Sequence, residues 1–120
     1  MLAEVEKMTE VPAQLKIDTG WFYGEANNDR NPPLERIQNV IKLINSLKTT
    51  MKLTGIHDHD AFLEYQERGA KKALYILDHD RNPGQAIIYL NQILGELQFL
   101  IYNDQFVTKP DRDTWQGRNK

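Results

Sequence analysis

Residues 83–102 read PGQAIIYLNQILGELQFLIY, and this stretch decides the fold. Asn82 before Pro83, with Gln85 three residues on, is the start signature of a helix. It supplies a side-chain acceptor for a free N–H, a ring that fits the first turn, and an amide able to complete a capping box. Ile87, Leu90, Leu94, Leu97 and Ile101 then recur at three- and four-residue steps and build one apolar stripe. Ile88, Tyr89, Ile93, Phe99 and Leu100 fall largely off it, so the polar strip narrows to Asn91, Gln92, Gly95, Glu96 and Gln98. A helix apolar on nearly every side must be covered on several sides. Two neighbouring helices leave part of it bare, and the expectation is that oligomerisation or a partner protein covers the rest.

Two more helices precede it. Leu34, Ile37, Ile41, Ile44, Leu47 and Met51 form a stripe that Val40 and Leu43 widen, predicting a helix over about 33–53. Asn31 is its expected N-cap, and Gly55 is placed to end it. A helix over about 58–78 starts in acidic residues that suit the positive end of its dipole. Phe62, Tyr65, Ala73, Ile76 and Leu77 mark its expected buried side, and Gly69 in its middle signals a close crossing or a bend. Arg68, Lys71 and Lys72 read as a solvated basic face.

The expected architecture is all-α: a single domain over 1–120, with a helical core over 32–106, an irregular arm and loop over 1–31, and a polar tail over 107–120. Val11–Ile17 suggests a short extended piece, and DTGWFYGEANNDRNPP after it is rich in turn formers. Asp29-Arg30-Asn31-Pro32 recurs as Asp80-Arg81-Asn82-Pro83, an echo that helix-starting chemistry explains without a duplication. Val107 and Trp115 are the apolar residues of the tail, and Trp115 offers a point at which it packs back.

Composition narrows the classes of function. At 120 residues, 40% hydrophobic and 27% charged, the chain is an ordinary globular domain. A net charge of −2 gives no overall attraction to nucleic acid or anionic membranes. Without cysteine there is no disulfide, thiolate nucleophile or Cys-ligated zinc. The first ten residues lack a signal peptide's basic start and apolar run, and no stretch approaches a membrane span. A cytoplasmic location is the expectation.

Three constellations invite a chemical reading. His57 and His59 lie among Asp58 and Asp60, and His79 lies between Asp78 and Asp80. Imidazole and carboxylate suit a transition metal, but a continuous helix sets these clusters ~28 Å apart at 1.5 Å per residue. Capping and turn solvation are the favoured explanation. The second constellation is Glu64 and Glu67, three apart on one helix face and able to share Mg²⁺. This pair resembles the first half of the Glu-x-x-Glu and Glu-x-x-Asp set of all-α nucleotide pyrophosphohydrolases of the MazG type. That resemblance implies metal-dependent phosphoester hydrolysis with Glu96 as a third ligand, but Phe99 and Leu100 stand where the completing carboxylate belongs. The third is Trp21-Phe22-Tyr23, which reads either as rings anchoring a loop or as a contact surface.

No nucleophile elbow surrounds Ser46, and no phosphate loop is present. The leading expectation is a non-enzymatic helical protein acting by protein–protein binding, as a homo-oligomer, adaptor or inhibitor. Its expected contact residues are Trp21, Phe22, Tyr23, Tyr89, Ile93 and Leu100. The alternatives are a hydrolase using Mg²⁺ or a transition metal, and a binder of small anions with Arg30 or Arg81 holding the charge.

Overall fold

The computed structural model describes residues 10–109. Among these the regular structure is helical throughout: α1 (Ala13–Asn27), α2 (Pro33–Thr54), α3 (Asp60–Asp78) and α4 (Pro83–Ile101). The short links 28–32, 55–59 and 79–82 turn each helix back on the one before it. α1 packs on α2, α2 on α3 and α3 on α4, while α4 also meets both α1 and α2. The result is a four-helix bundle.

The fourth helix corrects the three-helix expectation, together with the extended piece over Val11–Ile17 and the loop after it. α1 buries Thr19, Gly20, Tyr23 and Ala26, a stripe at helical spacing made of small residues and one ring. No apolar periodicity announces such a stripe. Tertiary contact stabilises it instead, as Tyr23 and Ala26 are 5% and 0% exposed within the common core. Thr108 N–H donates to Lys16 O, and Phe106 and Val107 are buried beside it. The expected tail therefore joins the core up to Val107. Trp115 lies outside the described residues.

α2 begins without the expected side-chain cap. Pro32 holds the cap position, and the Asn31 amide instead donates to Glu25 O at 2.9 Å, closing the end of α1. Gly55 ends α2 at φ 73°, a left-handed conformation open to glycine at little cost. At the start of α4 the Asn82 side chain accepts from Gln85 N–H at 3.1 Å, as the capping signature requires. Arg81 just before it takes φ 55°, which lets Asn82 N–H reach back to Ile76 O.

One buried cation fastens three helices together. Arg36 is 8% exposed; its Nε donates to Ala26 O at 2.9 Å and its Nη2 to Asn91 Oδ1 at 3.4 Å. Burial pulls the guanidinium below its ordinary pKa, and the charge of Asp29 opposes that. The cation also lies at the negative end of α1, where the helix dipole favours it.

α4 is covered by its own chain more than expected. Ile93 and Leu100 are 4% and 1% exposed, so neither is available to a partner in this state. Ile93 packs against Gly69 of α3, while α1, Phe106 and Val107 join the same core around α4. Ile88, Phe99 and Tyr102 stay outside, at 60%, 54% and 54% exposed.

Candidate functional site: a groove along α3 and α4

α3 and α4 run antiparallel with matched steps. Phe62 meets Phe99 with ring centroids 5.4 Å apart, and Gln66 Nε2 donates to Glu96 Oε1 at 2.6 Å. A Cβ on Gly69 would lie 3.3 Å from Ile93 Cδ1, and Lys72 Nζ sits 5.4 Å from the Tyr89 ring centroid. Gly69 thus permits the close crossing that its position in the sequence suggested. On the outer side of this crossing lies an open cavity of about 380 Å³, with Tyr65 and Tyr89 at its walls and Arg68 and Lys72 at its rim.

The bottom of the groove is polar and ordered. Gln66 is 1% exposed, and its amide is fixed by the Glu96 carboxylate. The second Glu96 oxygen accepts from Gln92 Nε2 at 3.3 Å. Tyr65, expected inside, is 59% exposed, and Gln66 takes its place in the core. Beyond the groove Phe99 lies over Phe62 and also meets the His59 ring edge-on, with centroids 5.5 Å apart. Outer α4 residues Ile88, Gln92, Gly95, Phe99 and Tyr102 are all exposed and follow one another at steps of four, three, four and three. That is the spacing of a seam against which another helix packs.

The metal candidates are dispersed. Lys48 Nζ bonds Glu64 Oε1 at 3.0 Å and Glu67 Oε1 at 2.7 Å, filling with an ammonium the place a cation would take between them. The bond from Lys48 holds the Glu67 carboxyl below the usual carboxylate range, and Glu67 in turn raises Lys48. Glu96 faces Gln66 and Gln92 instead. His57 shares a hydrogen bond with Asp60 at 3.0 Å, while His79 stacks on Tyr75 and bonds Asp80 at 2.9 Å. α3 is continuous between these two clusters. Among the described residues no three metal-ligating side chains come together.

The aromatic triplet is split by its helix. Trp21 is 42% exposed, Phe22 half-buried under Lys42, and Tyr23 in the core. Burial raises the Tyr23 phenol above its ordinary pKa, with Gln98 partly offsetting it. Three consecutive helical residues point in different directions, so they make no shared platform. Arg30 and Arg81 lie exposed in the links at one end of the bundle.

No family model, curated protein or solved structure matches the chain. Among the described residues no helix is long and apolar enough to cross a membrane.

The sequence offered a signal for the groove. Gly69 and Gly95 were visible as two helix-interior glycines, and the series 88, 92, 95, 99 and 102 is readable as a second stripe beside the core stripe. Burial of Gln66 has no such signal, because its partner Glu96 lies thirty residues away.

Proposed function

We propose that the protein acts by binding another protein chain, a second copy or a different one, through the outer face of the α3–α4 hairpin. The observation carrying this is the exposed seam on α4, where Ile88 and Phe99 are 60% and 54% exposed and flank the bare backbone at Gly95. Helix-in-groove recognition uses this pattern of apolar anchors at three- and four-residue spacing. The ordered groove beside it gives an incoming helix fixed polar and aromatic partners at little entropic cost.

Trp21, Phe22 and Tyr23 do not form one surface, and Ile93 and Leu100 lie in the core. Tyr89 keeps its place, joined by Tyr65, Ile88 and Phe99. The hydrolase alternative lacks comparable support, since Glu64 and Glu67 bond Lys48 while Glu96 bonds Gln66. A cytoplasmic setting is part of the proposal.

Replacing Ile88 and Phe99 together by glutamate tests it. Both side chains are more than half exposed, so the double variant should stay folded, its melting point lowered only by loss of the Phe99 contact to Phe62. Light scattering and co-purification from the producing cells should show an assembly with wild type that the variant loses. A wild-type protein that stays strictly monomeric and carries no co-purifying chain contradicts the proposal.

A further inference from the structure

We infer that the segment received by the α3–α4 groove is acidic, an amphipathic helix of a partner protein carrying carboxylates along one edge. This rests on the reading of the hairpin as a binding face and adds the chemistry of its occupant. The argument is one of charge. Arg68 and Lys72 stand on the same rim, one helical turn apart, and both are exposed. Among the described residues neither has a carboxylate partner, and Lys72 is held only over the Tyr89 ring at 5.4 Å. This differs from Lys48 on the other side of α3, which is bound by two glutamates.

The one carboxylate within the groove offsets only part of the rim's charge. Glu96 is exposed and keeps its charge, with one oxygen accepting from the Gln66 amide at 2.6 Å and the other from Gln92 at 3.3 Å. Two cations and this single carboxylate line a cavity of about 380 Å³, which leaves it a net positive charge. A chain whose net charge is −2 keeps this local excess of positive charge beside its most exposed apolar residues. An acidic edge aligned with Arg68 and Lys72 would gain charge-assisted bonds at the rim while its apolar side meets Phe99 and Ile88. A basic segment would meet like charges there. A second copy is disfavoured as occupant because a two-fold contact centred on this rim sets Arg68 and Lys72 against themselves.

The test uses three fluorescent synthetic helices with identical leucine spacing, whose remaining positions are glutamate, glutamine or lysine. Anisotropy titrations of the full chain at low and moderate salt measure their binding. The glutamate helix should bind saturably and at least tenfold more tightly than the glutamine one, with salt weakening it. The lysine helix should bind least. Arg68→Glu with Lys72→Glu should reverse the order of the acidic and basic probes, and Arg68→Gln with Lys72→Gln should abolish the preference. Amide shifts should cluster at Tyr65, Gly69 and Tyr89. Equal binding of all three helices, or a preference untouched by the charge reversal, overturns the inference. So does failure of the glutamate helix to bind. If the seam variant Ile88→Glu with Phe99→Glu still disrupts an assembly in that case, the binding-face reading survives and only the occupant's chemistry falls.

Discussion

Gln66 Nε2 lies 2.6 Å from Glu96 Oε1, a bond between a fully buried amide and an exposed carboxylate. The two partners are unequal in what they lose when the other is removed. Glu96 can turn to water, whereas Gln66 cannot. Glu96→Ala should therefore cost about 1–2 kcal/mol, the desolvation of an unpaired buried amide, although its side chain is at the surface. Gln66→Leu should cost less, and adding it to Glu96→Ala should recover most of the loss. Urea unfolding of the three variants checks the order.

Lys48 and Glu67 make a pH-dependent contribution. The bond lowers the Glu67 pKa, so its stabilisation is present above the ordinary carboxyl range and is lost as pH falls through the folded value. Lys48 is raised, so its share is present up to the ordinary lysine range and is lost at higher pH still. With side chains 29% and 19% exposed, the pair should be worth about 1 kcal/mol or less. Thermal melts should show Glu67→Gln destabilised by that amount at about pH 7. The gap should close as the pH is taken well below the ordinary carboxylate range.

Gly95 separates folding from binding. A Cβ there meets nothing within 4 Å. Gly95→Ala should stabilise the isolated chain by about 0.5–1 kcal/mol through helix propensity. If another helix lies along the seam, the same methyl holds the two backbones apart. Measured side by side, unfolding should become harder and association weaker.

Arg36 should be the least replaceable charged residue. Arg36→Leu removes the bond to Ala26 O and the link to Asn91, and a charge-assisted bond of this kind is worth about 1.5–3 kcal/mol. Urea titration should place the loss in that range. Hydrogen exchange should show the last turn of α1 loosened first.

Three helices were legible because their signals are local. The Asn82 cap, the proline at 83 and Gly55 depend on nearby residues, and the apolar stripes of α2 and α4 repeat often enough to be unmistakable. α1 was not legible because its buried side, Thr19, Gly20, Tyr23 and Ala26, carries little hydrophobic contrast. Gly20 and Gly24 within it, and Pro32 and Pro33 after it, mimic loop chemistry. α4 is less bare than its composition suggests, since Ile93 packs against Gly69 of α3, and α1, Phe106 and Val107 join the core around α4. Tyr65, expected inside, stands outside and Gln66 is buried, its amide satisfied by Glu96, which is remote in sequence.

Site-specific photo-crosslinking in the producing cells tests the central claim most directly. A photoreactive residue at Phe99 or Tyr65 should form discrete adducts with a protein chain, while the same group at exposed Gln38 on α2 should not. Adducts no stronger at 99 and 65 than at 38 would contradict the claim that this protein works through the outer face of α3 and α4.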